Sequence, residues 1–155
     1  MKISVLGAGG WGTTLAILLH YNGHQVTLWE YKRNYVKELI KKRINSVYLP
    51  GINIPKEITI THDLEEASFQ KNLIVLAVPS QFLRSVVDEI SYSEIKNSIL
   101  VSVAKGTENK RLMTMSQMLK DIHPHLKEEQ IGVLSGPSHA EEVSRRIPTA
   151  VINAA

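Results

Sequence analysis

Three observations predict an α/β fold, doubly wound, with a mostly parallel sheet and helices on both faces. Short β-branched runs alternate with helical stretches along the whole chain. Within 72–78, the residues after Asn72 form an unbroken apolar run, the pattern of a central parallel strand covered on both faces. A glycine-rich turn joins the first strand to the first helix. Alternation decides the class, because each parallel pairing needs a crossover over one face of the sheet, right-handed in nearly all cases. The 155 residues, 43% of them hydrophobic and 21% charged, are enough for one substantial core and too few for two ordinary domains, so 1–155 is read as one domain.

Residues 2–6 are a β-branched strand, 11–21 a helix and 25–30 a second strand, which together make one βαβ unit. Gly23 marks the helix end, where glycine takes the left-handed cap conformation at little cost. A second helix spans 35–42, with Val36, Leu39 and Ile40 on one face. Pro50 and Pro55 bar a continuous element after it, so Tyr48-Leu49-Pro50-Gly51 is expected in a loop leading to a third strand at 58–61. The fourth strand is 72–78, followed by a helix at 81–90, a strand at 98–103, a helix at 111–121 and a strand at 130–134. After Gly136-Pro137 come a short helix at 138–146 and a closing strand at 148–153. Nothing resembling a linker or a second domain follows, so the chain is expected to be a domain of a larger protein.

Composition narrows the function classes. With no cysteine, disulfides and cysteine-based metal or redox sites are excluded, and a reducing compartment, the cytoplasm, is the expected location. The amino terminus turns at Gly7 after a few apolar residues, without the apolar region of a signal peptide. The longest apolar runs fall far short of the roughly 20 residues that span a bilayer, so no membrane insertion is expected. A net charge of +3 weakly favours phosphate-bearing partners. Apart from Lys32-Arg33 and Lys41-Lys42-Arg43 the basic residues are scattered and lack aromatic interleaving, so no nucleic-acid partner is expected. His123 and His125 have no third ligand at metal spacing and are expected on the surface; Met113, Met115 and Met118 read as core packing or partial exposure.

Gly7-Ala8-Gly9-Gly10-Trp11-Gly12 carries the chemistry. It is a G-x-G-x-x-G between a predicted strand and a predicted helix, the phosphate-binding turn of a Rossmann-type fold. Gly7 permits the tight turn, Gly9 lets the backbone approach a pyrophosphate, and Gly12 lets the helix pack close to the strand. The helix amino terminus offers unpaired N–H groups and partial positive charge to phosphates. Glu30 ends the next strand 18 residues beyond Gly12, placed to accept from adenosine ribose hydroxyls, which favours NAD. Lys32 and Arg33 stand beside it, placed either to hold the 2′-phosphate of NADP or simply to solvate a helix start. Trp11 suits core packing and cofactor contact equally. Lys105 follows a predicted strand carboxyl end, where ligands of open α/β sheets bind, and Gly106 after it allows close approach.

Several separated segments resemble the amino-terminal domain of NAD(P)-dependent glycerol-3-phosphate dehydrogenase. They are the glycine turn through Thr13, Tyr48-Leu49-Pro50-Gly51, Val78-Pro79-Ser80-Gln81-Phe82, Ala104-Lys105-Gly106-Thr107-Glu108, the run from Leu134 to Val143 and Pro148-Thr149-Ala150-Val151. Gly10, where the bacterial family often has serine, and Thr107, where isoleucine is more usual, depart from its pattern. The resemblance implies that Gly10, Trp11, Tyr31, Lys32, Tyr48, Phe82 and Ala140 line the dinucleotide site. It implies that Lys105, Gly136 and Ser138 meet the triose phosphate substrate. It assigns His139 no role. The implied reaction is hydride transfer between NAD(P)H and dihydroxyacetone phosphate, giving sn-glycerol 3-phosphate, within glycerophospholipid biosynthesis. The general acid/base of the family is a lysine in a following helical domain, so no catalytic residue is expected among these 155, and the parent protein is expected to be a homodimer. Two alternatives stand beside this reading: a non-catalytic dinucleotide-binding sensor, and a related hydroxyacid or sugar-acid dehydrogenase with the same first domain.

Overall fold

The computed structural model describes residues 1–109, 111–136 and 138–154. Seven strands form one sheet: β1 (Lys2–Leu6), β2 (Gln25–Trp29), β5 (Thr59–Thr61), β6 (Leu73–Leu76), β7 (Ile99–Ser102), β8 (Ile131–Ser135) and β9 (Ile152–Ala154). Their spatial order is β5-β2-β1-β6-β7-β8-β9. All neighbours pair in parallel except β8 and β9, which are antiparallel. The strand order runs outward from β1 in one direction and then restarts at β6 in the other, so the chain's direction of progress reverses between β1 and β6. That reversal opens a crevice beyond the carboxyl ends of these two strands.

The central strands feed both faces. Ile3 and Val5 of β1, Val26 and Leu28 of β2 and Val75 of β6 pack on one side with helices α1 (Gly10–Tyr21) and α2 (Arg33–Lys42). Leu6, Trp29, Ile74 and Leu76 pack on the other with α3 (Leu64–Ser68), α4 (Ser80–Asp88), α5 (Tyr92–Ile95) and α6 (Met115–Ile122). This alternation explains why every residue from Leu73 to Val78 is apolar: β6 is the middle strand of seven, and Ile74, Val75 and Leu76 are buried on both of its faces.

The predicted strands and long helices are all present, with five differences. The 48–51 segment is not a loop: β3 (Ile44–Asn45) and β4 (Leu49–Asn53) pair as an antiparallel hairpin. Pro50 is tolerated there because it falls where the register shifts, between the paired residues Leu49 and Asn53. Two short helices, α3 and α5, were not anticipated; Asp63 caps the first by accepting from the Glu66 N–H, and Ser91 with Glu94 forms a capping box on the second. The 111–121 helix starts only at Met115, because Thr114 and Gln117 make a capping box that sets its first turn. The terminal elements shrink to α7 (Ala140–Ser144) and β9. Finally, Ile40 is exposed although Val36 and Leu39 are buried, and His123 is buried where a surface position was expected. Met115 and Met118 are core residues and Met113 packs against them.

Candidate functional site

The glycine turn lies at the crossover crevice. Gly7 has φ +112°, and a Cβ on it would approach the Ala77 carbonyl oxygen to 2.8 Å, so only glycine lets the ends of β1 and β6 come together. A Cβ on Gly12 would run into the Gly7 carbonyl and lie 3.1 Å from the Ala77 methyl, so the helix can pack this close only because Gly12 has no side chain. Nothing stands within 4 Å of a Cβ position on Gly9, whose surface opens into the crevice.

Helix α1 begins directly after this turn. Its Ncap is Gly9, no side chain caps it, and no acidic residue stands in its first turn. The first N–H groups of a helix have no partner inside it. At α1 these donors and the positive end of the helix point where an anion would enter, which fits a dinucleotide pyrophosphate.

The fold gathers residues far apart in sequence around this start. A Cβ on Gly10 would lie 2.6 Å from the Tyr48 carbonyl oxygen and 3.5 Å from the Ala140 Cβ. The Thr14 hydroxyl donates to the Ala140 carbonyl oxygen at 3.2 Å, which locks the first turn of α7 onto α1. Trp11 is half-buried against the cluster that contains Ala8, Leu15 and Leu49, so it packs on the core and keeps one side exposed. Tyr48 and Phe82 are both exposed, at 48% and 64%, and Tyr48 also stands edge-on to the Tyr35 ring.

Glu30 comes just past β2, half-buried, and its Oε1 accepts from the Lys32 N–H at 3.0 Å. Its backbone N–H donates to the Thr61 carbonyl, which ties it to the edge strand. Tyr31, Lys32 and Arg33 are exposed at the start of α2, whose first helical residue is Arg33.

Lys105 is exposed in the segment after β7, one strand further along the same edge. Its neighbours are anchored to α4. Gln81 Nε2 donates to the Thr107 carbonyl at 3.1 Å, and Gln81 Oε1 accepts from the Asn109 N–H at 3.2 Å. Arg84 grips Glu108 in a two-pronged pair, Nε to Oε1 at 2.6 Å and Nη2 to Oε2 at 3.0 Å, and reaches Asp121 Oδ2 through Nη1 at 2.8 Å. Arg111 adds a second bond to Asp121. The hydrogen bonds from Arg84 hold the carboxyls of both Glu108 and Asp121 below their usual range, and those same bonds push the Arg84 guanidinium up.

Gly136 and Ser138 follow β8 on this edge, with the Ser138 N–H donating to the Gly136 carbonyl at 2.9 Å. A Cβ on Gly136 would lie 2.7 Å from the Ala150 carbonyl oxygen, so this turn is pressed against the returning chain. Pro137 lies outside the described residues. The sequence-predicted positions therefore share one edge of the sheet, in two groups. Gly10, Tyr48 and Ala140 meet directly around α1, while Lys105 and Phe82 belong to the β6 and β7 ends, linked through Gln81. The sequence reading missed buried Asn45, half-buried Arg84 and exposed Gln81, whose hydrogen bonds hold these segments in place.

Known proteins resemble this chain in sequence and in fold. A family model described as the N-terminus of NAD-dependent glycerol-3-phosphate dehydrogenase matches residues 2–155. The chain belongs to this family. Among curated glycerol-3-phosphate dehydrogenases [NAD(P)+], that of Fusobacterium nucleatum is 47% identical over 154 residues, which cover 98% of this chain and 45% of the relative. That of Syntrophotalea carbinolica is 46% identical over 151 residues, 97% of this chain and 45% of the relative. The crystal structure of the glycerol-3-phosphate dehydrogenase from Coxiella burnetii superposes with a TM-score of 0.87 at 29% identity, covering 98% of this chain and 46% of that one. The chain thus spans about half the length of the glycerol-3-phosphate dehydrogenases it matches.

Proposed function

We propose that this chain is the dinucleotide-binding domain of a glycerol-3-phosphate dehydrogenase. The observation that carries the proposal is the uncapped start of α1 at the strand-order reversal, with Gly9 open and Gly10, Tyr48 and Ala140 converging on it. In this reading the turn from Gly7 through Gly12 holds the pyrophosphate with backbone N–H groups, and Trp11 and Tyr48 flank it. Glu30, Tyr31 and Lys32 take the adenosine end. Phe82 and Ala140 border the nicotinamide. Lys105 reaches both the cofactor and the substrate, and with Gly136 and Ser138 it meets the phosphorylated triose.

When bound, the nicotinamide supplies or accepts the hydride in the interconversion of dihydroxyacetone phosphate and sn-glycerol 3-phosphate. The chain's own residues orient that ring and the substrate, and Lys105 places a cation beside the reacting oxygens. The proton donor for the developing alkoxide is assigned to a lysine outside these 155 residues, in a helical domain of the family. A cytoplasmic, homodimeric parent that serves glycerophospholipid synthesis completes the proposal; among the described residues no helix is long and apolar enough to cross a membrane.

Calorimetric titration of the purified chain with NADH and then NADPH, at one salt concentration, tests the reading. Saturable binding of at least one is expected, and binding of neither overturns it. Preference for NADH assigns Glu30 to a free ribose 2′-hydroxyl, and preference for NADPH assigns Lys32 or Arg33 to the 2′-phosphate. Little or no turnover of dihydroxyacetone phosphate is expected, and ordinary turnover by the chain alone would place the proton donor within it.

A further inference from the structure

Asn45 is fully buried, and its amide uses every hydrogen-bonding position it has. Nδ2 donates to the Ala8 carbonyl at 2.8 Å and to the Thr13 hydroxyl at 2.7 Å. Oδ1 accepts from the Tyr35 hydroxyl at 2.5 Å and from the Tyr48 backbone N–H at 2.9 Å. Burial pushes the Tyr35 phenol up, so it stays protonated and remains a donor. One side chain therefore joins the glycine turn, the first turn of α1, helix α2 and the β3–β4 hairpin.

The partners lie where the candidate site needs them. Ala8 stands between the two glycines that open the turn. Tyr48 is the hairpin residue whose carbonyl covers Gly10, at a distance that would be 2.6 Å to a Cβ there. Only an amide of this length serves both sides. An ionised aspartate has no donor for the Ala8 carbonyl, serine is too short, and glutamine is one methylene too long for a closed site.

We infer that Asn45 is a positioning residue for dinucleotide binding, which holds the glycine turn and the Tyr48 hairpin in one fixed relation. The inference rests on the dinucleotide reading above. Without the two Nδ2 bonds, the Ala8 carbonyl is a buried acceptor with no donor, and the turn relaxes away from the shape that presents its N–H groups. Binding then has to restore that shape, and affinity falls by that amount.

The test is fluorescence titration of the 155-residue chain with whichever of NADH and NADPH binds the unaltered chain, at a temperature where circular dichroism shows each variant folded. Asn45→Asp preserves size and the bonds from Tyr35 and Tyr48 while removing the donors, and should raise Kd about tenfold or more. Tyr35→Phe, which deletes one bond at the periphery, should raise it by about twofold to fivefold. Leu119→Ala, in the core on the other face of the sheet, should lower the thermal midpoint and leave Kd unchanged, which separates positioning from stability. Folded Asn45→Asp that binds within about twofold of the unaltered chain overturns the inference. Should that variant fail to fold, an unchanged Kd for Tyr35→Phe overturns it instead. An unaltered chain that binds neither dinucleotide refutes the functional reading itself, and the inference with it.

Discussion

Two segments at the same edge of the sheet are held in place by opposite means. The glycine turn is fixed by neutral groups: the buried Asn45 amide, the Tyr35 phenol, and contacts that leave no room for a Cβ. The Lys105 segment is fixed by charge: Arg84 clamps Glu108 in two places and shares Asp121 with Arg111. The Arg84 and Glu108 side chains retain only 19% and 8% of their exposure, whereas Arg111 retains 55%. A neutral hub keeps its geometry over a broad pH range, because nothing in it titrates near neutrality. A clamp made of ions holds only while both partners are charged, and its exposed outer arm is screened by salt while the inner pair is protected. The part proposed to bind cofactor is thus built as a rigid fixture. The part proposed to meet substrate depends on conditions.

The largest expected effect breaks the rigid side. In Gly12→Ala the new methyl group has the Gly7 carbonyl in its way, and neither backbone can yield without opening the β1–α1 turn. Stability should fall by about 3 kcal/mol or more, measured by urea unfolding, and dinucleotide affinity should be lost along with the turn. A variant of near-normal stability that still binds cofactor would show that the close approach of α1 to β1 is dispensable.

A smaller effect is expected on the ionic side. Glu108→Gln keeps the shape of the side chain and removes its charge, leaving a mostly buried guanidinium with Asp121 as its remaining carboxylate. The thermal midpoint should drop while NADH binding by the glycine turn persists, and any effect on triose phosphate should show as a loss of substrate affinity in the full-length enzyme. The sign of its pH dependence follows from the depressed carboxyls. The folded state holds Glu108 and Asp121 below their usual range, so the unfolded chain takes up protons first, and the stability they give is lost as pH falls below the ordinary carboxylate values of about 4. Glu108→Gln should therefore flatten the acid limb of the stability curve. An unchanged acid limb would show that the clamp contributes nothing.

The same contrast explains what the sequence revealed. The glycine turn, the strand alternation and the apolar run from Leu73 to Val78 are local or periodic patterns, and local patterns are legible one residue after another. Asn45 has no such signature: its partners lie at positions 8, 13, 35 and 48, and only the fold shows that one amide serves them all. The Arg84–Glu108 pair spans 24 positions and is equally invisible to spacing rules. The hairpin at 44–53 escaped because its strands are short, its register shifts, and Pro50 argued against a strand that turned out to be an edge. The capping boxes Ser91 to Glu94 and Thr114 to Gln117 were readable, by contrast, and reading the second would have moved the start of α6 from 111 to 115.

The smallest expected effect separates the clamp from a neighbour that also responds to acid. His123, at the end of α6 and two residues past Asp121, is buried with its Nε2 lacking a partner. Burial lowers its pKa, against a smaller opposing pull from a backbone hydrogen bond with Val87 and from the Asp88 charge. The sign is fixed by that direction. Since the folded state releases the proton more readily than the unfolded chain, stability is at its fullest above the ordinary histidine value of about 6.5 and declines as pH falls through it. This loss comes two pH units or so before the carboxylate loss, so the two can be told apart in one titration of unfolding midpoints. His123→Gln should flatten the slope between about pH 7 and pH 5, by less than the roughly 1.4 kcal/mol per pH unit that one fully transferred proton allows, and leave the acid limb below pH 4 intact. If Glu108→Gln instead removes both slopes, His123 and the clamp titrate as a single coupled unit, and the acid sensitivity of the Lys105 segment begins near neutrality rather than near pH 4.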